Sequence, residues 1–361
     1  MIKFLDIYKQ DKVILNKIYS EIKKIIKKNN FILGEEVIKF EKEFSNFCGS
    51  KYAISCGNGT DALTIALKIL NLPKNSEVLI PAMTYCSTAF AVINANLKPV
   101  LIDLKENEPT LNIELIKRKI TSKTKVIMPV HLYGSVVNLR LIKNIIKRKK
   151  IIIIDDCSQA HGAKLNNRKV GSLADISCFS LYPGKNLGAY GDAGIITTNS
   201  KFFYKKIKNF RNLGSVVKFK HTQVGVNSRM DTIQAAILSR KLTQLNFLNN
   251  KRKKIAKFYN KMINNKNIVK LNYSKGAVYH QYVILTKKRN QLIKIFNSNK
   301  IQYGFHYPKT INQLECFKKD FKSQKFPNSE KISKQGLSLP INPNLTILEI
   351  KKIRKIINSI K

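Results

Sequence analysis

Two residues with complementary chemistry lie in one stretch of the chain, between positions 151 and 198. Asp156 follows a run of β-branched residues so apolar that it predicts a buried strand. A carboxylate there needs a cationic or hydrogen-bonding partner, or else it is neutralised. Lys185 lies in a later loop with glycines at 184, 188, 191 and 194, which a ligand can approach closely. A lysine held in such a pocket can become a Schiff-base nucleophile.

Together the amine and the carboxylate point to pyridoxal 5′-phosphate. This cofactor needs an amine for its aldehyde carbon and a carboxylate that keeps its ring nitrogen protonated, because the protonated ring is the electron sink. Asp156 and Lys185 can supply these two groups. The same two residues also admit a simpler interpretation, a buried hydrogen-bonded aspartate and one lysine among many.

Two further segments place polar groups beside strand ends. KYAISCGNGTDALTIALKIL predicts a strand, a glycine turn and a helix, and free N–H groups at such a helix start can bind phosphate. Plain N-capping by Thr60 and its neighbours gives the same pattern. EVLIPAMTYCSTAFAVINA predicts a strand and a helix from about Ser87, with Tyr85 between them. Tyr85 is either a core aromatic or part of a site.

Strands alternate with helices through the first two thirds of the chain. Residues 99–104 and 125–134 read as strands, and 139–150 as a helix, which predicts right-handed crossovers and a mainly parallel sheet. Ligands bind such sheets at the carboxyl ends of the strands. After a helix at 231–245 and a basic helix, 278–286 and KIQYGFHYP read as strands around the helix NQLIKIFNSN, and TILE (346–349) as a capping box. We expect a large α/β domain over 1–245 and a small α+β domain over 246–361.

The composition limits the classes of function. The chain of 361 residues carries a formal net charge of +44, which is typical of nucleic-acid binding. The lysines are spread over the whole chain without a recognition-helix or aromatic-interleaved pattern, so we expect no nucleic-acid function and a preference for anionic ligands. The six cysteines form no C-x-x-C pair and the five histidines are scattered, so no metal site is expected. Without a signal segment or a run of about 18 apolar residues, we expect a soluble cytoplasmic protein and no membrane partner.

Six motifs in order give the chain a resemblance to a known family. GNGTDAL, DDCSQAHGA, FSLYPGKNLGAYGDAG, GVNSRMD, HYP and LSLP occur as in the DegT/DnrJ/EryC1/StrS family of sugar aminotransferases. The resemblance runs from FLD (4–6) to the C-terminal helix. It implies the aspartate-aminotransferase fold, fold type I, with a large and a small domain. It also implies a pyridoxal 5′-phosphate enzyme that forms a homodimer with shared active sites.

The resemblance assigns roles to individual residues. It makes Lys185 and Asp156 catalytic, and it implies that the cofactor is also bound by Gly59, Thr60, Asp61, Tyr85, Gln159, Ser180 and Asn227. Tyr85 would stack on the pyridine ring, Gln159 would contact its hydroxyl and Ser180 its phosphate. Asn227 would reach the neighbouring subunit's phosphate. The substrate would contact Tyr182, Arg229, His306 and Tyr307, although Arg229 taken alone reads as a surface charge.

The implied reaction moves an amino group from glutamate to a keto nucleotide sugar. A lysine at position 185 favours transamination over the related dehydratases, which carry histidine there. GNGTDAL, Ala193 and HYP resemble enzymes that act at C3 of dTDP-3-keto-6-deoxyhexoses, in amino-sugar pathways for lipopolysaccharide or other glycoconjugates. The segment KTINQLECF lacks the P-x-H that many of those enzymes carry after HYP. UDP-linked 3-keto uronic acids and 4-keto sugars therefore stay open, as do two non-enzyme alternatives, a basic nucleic-acid binder and a regulatory protein.

Overall fold

A seven-stranded sheet forms the centre of the fold and contains the strand that ends at Asp156. The computed structural model describes residues 1–217 and 219–360. Strands up to residue 198 are β1 (Tyr52–Cys56), β2 (Glu77–Pro81), β3 (Lys98–Ile102), β4 (Thr124–Ile127), β5 (Ile152–Asp156), β6 (Lys164–Leu165), β7 (Arg168–Lys169), β8 (Ile176–Ser180) and β9 (Gly194–Thr198). Of these, β6 and β7 form a separate hairpin.

The strand order of the central sheet is β1, β9, β8, β5, β4, β2, β3. The pairs β2–β3, β2–β4, β4–β5 and β5–β8 are parallel, whereas β9 runs antiparallel to both β1 and β8. The mainly parallel sheet of the fold prediction is confirmed. Because β1, β2, β5 and β8 all run the same way, their carboxyl ends meet at one edge of the sheet.

Helices cover both faces of this sheet, as the alternation of strands and helices predicts. They are α1 (Ile7–Asp11), α2 (Leu15–Lys28), α3 (Glu35–Cys48), α4 (Gly59–Lys68), α5 (Ser87–Asn94), α6 (Ile113–Lys119), α7 (Leu139–Ile146), α8 (Lys201–Phe210) and α9 (Thr232–Leu242). Successive strand residues enter different cores, with Ile153 in one cluster and Ile154 in the other. Strands buried on both faces explain why 151–154 is a continuous apolar run.

A third hydrophobic cluster forms the core of the C-terminal part. Before α9 the chain forms the hairpin of β10 (Ser215–Val217) and β11 (Lys220–His221). The elements that follow α9 are α10 (Leu245–Met262), β12 (Val269–Lys270), β13 (Tyr282–Leu285), α11 (Arg289–Ser298), α12 (Pro327–Gln335), β14 (Gly336–Leu339) and α13 (Ile347–Asn358). Leu245, at the start of α10, packs in the cluster beside the central sheet that contains Ile153, and Ile255 packs in the C-terminal core. Ile2 also packs in the C-terminal core.

Two strand predictions were wrong. KIQYGFHYP forms only isolated bridges, Ile2 with Ile301 and Gly304 with Ser338, and the strand beside β13 is instead β14. The strand predicted over 125–134 ends at Ile127, because Pro129 cannot donate a ladder hydrogen bond. The capping box at Thr346 is present, with Glu349 as its partner. Among the described residues, no helix has the length and apolar character needed to span a membrane.

Candidate active site

A cavity of about 560 Å³ opens at the carboxyl edge of the central sheet. Residues from the ends of three parallel strands or the turns behind them line it, namely Tyr85 after β2, Asp156 at the end of β5, and Ser180 and Lys185 at and after β8. The C-terminal part contributes His306 to the same wall. The topology thus brings together side chains that lie far apart in the sequence.

Lys185 is half-buried in the wall of this cavity. Burial lowers the pKa of its amine to about 8, while the nearby Asp156 carboxylate acts in the opposite direction. A substantial fraction of the Lys185 side chains therefore carries a neutral amine near pH 8.

The glycines of this loop permit close backbone approach rather than a positive φ. A Cβ at Gly188 would lie 2.4 Å from the carbonyl oxygen of Pro183, and a Cβ at Gly194 would lie 2.3 Å from the carbonyl oxygen of Asn58.

The Asp156 carboxylate is held in place by two hydrogen bonds. Thr88 Oγ1 donates to its Oδ2 atom at 3.0 Å, and the Ser158 backbone N–H donates to its Oδ1 atom at 3.0 Å. Thr84 lies 2.9 Å from the Thr88 hydroxyl. Because Thr88 gives its proton to Asp156, the Thr84 hydroxyl must be the donor in that second bond. The carboxylate keeps free lone pairs for a ligand that carries an N–H group.

The neighbouring Asp155 belongs to a different, fully buried group. His131 Nδ1 accepts a hydrogen bond from the Val137 N–H at 3.0 Å, so its Nε2 carries the proton and donates to Asp155 Oδ2 at 3.0 Å. Cys157 lies close enough to make this a possible set of metal ligands. Since both nitrogens of the neutral ring are engaged, His131 has no lone pair left for a metal ion. This group supports the strand end beside Asp156.

The start of α4 forms a cradle suited to an anion. Asn58 is the N-cap and accepts from the Asp61 N–H at 2.8 Å, while Thr60 Oγ1 lies 2.7 Å from Ser87 Oγ. A Cβ at Gly59 would lie 2.5 Å from the Cβ of Ser180, so only glycine lets the helix start come this close to β8. Backbone N–H groups, the helix dipole and the hydroxyls of Thr60, Ser87 and Ser180 converge here, as a bound phosphate requires.

Asp61 differs from its expected position. It does not line the cavity, and its Oδ2 atom accepts a hydrogen bond from Ser228 Oγ at 2.6 Å. The Ser228 hydroxyl also accepts from the Gly57 N–H at 3.0 Å. The Asp61 carboxylate thus ties the turn before α4 to the segment before α9, behind the cradle.

Asn227 and Arg229 do not line the cavity of their own chain. Asn227 is exposed and forms an isolated bridge with Asn212, and Arg229 donates to Asn212 Oδ1 at 3.4 Å. Any contact of these side chains with a cofactor or substrate would have to come from a second copy of the chain. Their predicted roles stay predictions.

Aromatic residues surround the mouth of the cavity. Tyr85 and Tyr182 are 53% and 57% exposed, which leaves both rings accessible to a ligand. The Tyr85 ring lies 5.5 Å from that of Tyr307, whose hydroxyl accepts from Gln159 Nε2 at 2.9 Å. Gln159 Oε1 accepts from the Tyr133 N–H at 2.7 Å, which fixes the orientation of the amide. His306 Nδ1 lies 2.8 Å from Ser338 Oγ, and burial and then Lys185 lower the pKa of the imidazole to about 4.

Two residues of the cavity wall, His280 and Arg252, and one residue behind it, Thr88, were not predicted from the sequence. Thr88 supports Asp156, His280 shares a hydrogen bond with Asn186 at 3.1 Å, and Arg252 reaches the wall from α10. Burial and then Lys185 lower the pKa of His280 well below its ordinary value. The position of Thr88 just after a strand end was a usable signal. No local pattern marks His280 or Arg252, because packing of the C-terminal part brings them in.

These groups fit pyridoxal 5′-phosphate. Lys185 offers an amine for an aldehyde carbon, Asp156 offers a fixed carboxylate for a ring N–H, and Gly59 leaves a cradle that a Cβ would fill. Tyr85 leaves one aromatic face exposed in the same cavity. The arrangement can hold a flat, phosphorylated ring between the sheet edge and the cavity mouth.

Comparison with known proteins supports the same interpretation of the cavity. The model of the DegT/DnrJ/EryC1/StrS aminotransferase family matches residues 13–360. The dTDP-3-amino-3,6-dideoxy-alpha-D-galactopyranose transaminase of Aneurinibacillus thermoaerophilus is 37% identical over 360 residues, with 99% of both chains covered. The UDP-2-acetamido-2-deoxy-3-oxo-D-glucuronate aminotransferase of Pseudomonas aeruginosa is 34% identical over 355 residues, with 98% of both covered. The structure of S. venezuelae DesV in complex with a ketimine intermediate has a TM-score of 0.96 at 29% identity, covering 99% of this chain and 98% of that one.

Proposed function

Because the chain belongs to the DegT/DnrJ/EryC1/StrS aminotransferase family, we propose that it transfers the amino group of glutamate to C3 of a dTDP-3-keto-6-deoxyhexose. The enzyme is a pyridoxal 5′-phosphate-dependent nucleotide-sugar aminotransferase. The observation that carries the proposal is the convergence of Lys185, Asp156 and the start of α4 on one cavity. Family membership gives the aminotransferase class. The identity of the keto sugar, glutamate as the amino donor and the homodimer are proposed in addition.

Lys185 has two tasks in this proposal. When bound, pyridoxal 5′-phosphate supplies an aldehyde carbon and an electron sink for the carbanion that transamination requires. The Lys185 amine would hold the cofactor at that carbon. With its pKa near 8, the same amine would take a proton from the α-carbon of the donor and would return a proton to the sugar carbon that is aminated.

Asp156 holds the proton on the ring nitrogen. Its carboxylate is nine-tenths or more buried and is oriented by Thr88 and the Ser158 N–H, so it is preorganised for a single N–H donor. Gly59, Thr60 and Ser180 would hold the phosphate, and Tyr85 would cover one face of the ring. Gln159 has one amide proton left beyond its bond to Tyr307, which suits a contact with the ring hydroxyl.

The nucleotide sugar approaches from the exposed side of the cavity. Tyr182 is 57% exposed and lies at this side, and it is assigned to sugar contacts together with His306 and Tyr307 of the same cavity. His306 is a neutral imidazole at physiological pH and can donate or accept a hydrogen bond. The net charge of +44 favours an anionic nucleotide diphosphate.

The choice of dTDP-3-keto-6-deoxyhexose rests on the relative that is 37% identical over the full chain. A UDP-linked 3-keto uronic acid is the second candidate, because a relative that is 34% identical acts on such a sugar by its name. A 4-keto nucleotide sugar is the third candidate. The product would serve amino-sugar synthesis for lipopolysaccharide or another glycoconjugate in the cytoplasm.

Each active site is proposed to need two chains. Asn227 and Arg229 lie outside the cavity of their own chain, and Asn227 is exposed, so both are available to complete the site of a partner. In a homodimer with two equivalent shared sites, Asn227 would bind the partner's phosphate and Arg229 would face the partner's substrate.

Turnover of a defined panel of sugars tests the proposal. Purified enzyme with cofactor and glutamate is incubated with a dTDP-3-keto-6-deoxyhexose, a UDP-linked 3-keto uronic acid and a dTDP-4-keto-6-deoxyhexose, and the amine products are identified by mass spectrometry and NMR. We expect amination of the first sugar at C3, and none with Lys185→Ala. Preference for either other sugar would replace the proposed substrate. A colourless protein that binds DNA or RNA in a salt-dependent way would instead support the nucleic-acid alternative.

A further inference from the structure

Arg252 lies in the middle of α10 and lines the same cavity as Lys185. Its side chain is 4% exposed. One terminal nitrogen donates to the Ile341 carbonyl at 3.2 Å, and the other donates to Gln10 Oε1 at 3.5 Å. The Nε atom is buried without a hydrogen-bond partner. The guanidinium is thus fixed in position, yet two bonds leave most of its five N–H donors unmatched.

No carboxylate forms an ion pair with Arg252 among residues 1–217 and 219–360. The two acidic residues of the cavity wall are Asp156, which is bound by Thr88 and Ser158, and Asp192, which is exposed. Burial lowers the pKa of Arg252 to about 10, so the group still carries its charge at neutral pH. A buried cation without a counter-ion is costly, and an anionic ligand would remove that cost.

The burial of Arg252, which is 4% exposed in the cavity wall, favours a small anion over the bulkier nucleotide. A phosphate is already provided for at the start of α4. The donor, by contrast, must bring its amine to Lys185, and an amino acid carries a carboxylate beside that amine. A planar guanidinium fork matches a carboxylate in a bidentate fashion. We propose that Arg252 binds a carboxylate of the amino donor and thereby selects an amino acid over a simple amine.

This inference rests on the proposed aminotransferase function. Measuring the two half-reactions separately distinguishes a failure of the inference from a failure of the proposed function. In the first half, glutamate is added to the cofactor-loaded enzyme alone and the absorbance change is titrated. In the second half, the aminated form of the enzyme receives the keto sugar. We expect Arg252→Gln to raise the apparent Kd for glutamate on the order of 10²-fold, as for other truncated partners of buried charge pairs. The keto-sugar half should change less than threefold, and Arg252→Lys should recover part of the glutamate affinity.

Arg289→Gln is the matched control. Arg289 is partly buried on α11 and also donates to backbone carbonyls, those of Ser333 and Gly336, but it does not line the cavity. The Arg289→Gln variant should leave the apparent Kd for glutamate in the first half-reaction unchanged. An equal loss in both variants would assign Arg252 a structural role and overturn the inference. A loss confined to the keto-sugar half would assign Arg252 to the nucleotide sugar, which also overturns it.

A second measurement needs no turnover, and its structural part needs no variant. Glutarate carries two carboxylates and no amine, so it can occupy the donor subsite without reacting. Calorimetry with wild-type enzyme should show binding that Arg252→Gln or Arg252→Lys weakens, and a crystal structure with glutarate should place a carboxylate on the guanidinium. A carboxylate bound elsewhere would overturn the inference even where Arg252→Gln fails to fold. If the wild type shows no half-reaction with any amino acid, the proposed function itself fails.

Discussion

Thr88 Oγ1 donates a hydrogen bond to Asp156 Oδ2 at 3.0 Å, although the two residues lie 68 positions apart on α5 and β5. The bond joins two elements that both begin or end at the carboxyl edge of the sheet. Thr84 in turn donates to Thr88, so a chain of hydroxyls leads to the carboxylate. The orientation of the carboxylate that we assign to the ring nitrogen therefore depends on a residue outside the six family motifs.

Thr88→Val should lower kcat by about tenfold while the enzyme still binds cofactor. The valine keeps the shape of the side chain but leaves the carboxylate without one donor, a loss on the order of 1–3 kcal/mol for an unsatisfied buried group. Thr88→Ser restores the hydroxyl and should restore most of the rate. Thr84→Val, which removes only the second bond, serves as the control. Steady-state kinetics with glutamate decide the point, and an unchanged kcat in Thr88→Val would show that Asp156 is held well enough without it.

Asp156→Asn should bind the cofactor and lose most of its turnover. An amide cannot keep the ring nitrogen protonated, and removal of one preorganised electrostatic group costs about 10²–10³ in rate, with a larger loss expected if the electron sink is the main term. Asp192→Asn changes an exposed acid of the same cavity and should retain the wild-type rate. Near-normal turnover of Asp156→Asn would mean that another acid performs the task.

Capture of cofactor by the apoenzyme should depend on pH through the Lys185 amine. Burial lowers the pKa of this amine to about 8, and only the neutral amine attacks the aldehyde. The rate of capture, followed by stopped-flow absorbance, should rise about tenfold per pH unit below pH 8 and level off above it. Because Asp156 raises the pKa of Lys185, the plateau should begin at lower pH in Asp156→Asn.

Lys185→Ala is the companion variant, and it should neither form the covalent adduct nor yield a borohydride-trapped product. Lys169 is a suitable control, since burial also lowers the pKa of its amine but it does not line the cavity. Lys169→Ala should form the adduct normally. An adduct mapped to another lysine in the Lys185 variant would be evidence against our assignment.

Mixed dimers should recover activity from two inactive parents. Lys185→Ala chains and Asn227→Ala chains each lack a group in every site of their own dimer. In a heterodimer both lesions fall in one site, and the opposite site is intact if Asn227 serves the partner. Activity should therefore appear after subunit exchange. Its absence, with exchange verified by mass and with a weak Asn227 parent, would mean that this loop acts only in its own subunit.

The sequence was informative wherever a residue's position along a strand determined its position in space. Asp156 ends a buried strand and Lys185 follows another, so the rule for parallel sheets predicts that they meet at one edge, whereas Ser180 was assigned from the family resemblance. Gly59, the first residue of α4, was recognisable as part of a phosphate turn because a helix start has free N–H groups. All of these residues line the cavity.

Residues that reach the site through tertiary packing were not predictable in this way. Arg252 lies on a polar, basic helix where many positions carry the same charge, and only packing shows which of them is buried. Asp61 matched a motif, yet its carboxylate is bound by Ser228 behind the cradle. KIQYGFHYP alternates like a strand but pairs only at isolated bridges, since β14 occupies the place beside β13.

The packing of Ile2 has a consequence for synthesis on the ribosome. Its backbone exchanges hydrogen bonds with Lys300 and Gln302, at 2.9 Å each, and its side chain packs in the C-terminal core. At about 5–20 residues per second, the ribosome needs roughly 15–60 s to make the partners that Ile2 requires. The large sheet can form during that interval, but Ile2 stays without these backbone partners until Lys300 and Gln302 have been made. Chaperone access to this segment is therefore greatest before those partners emerge from the ribosome.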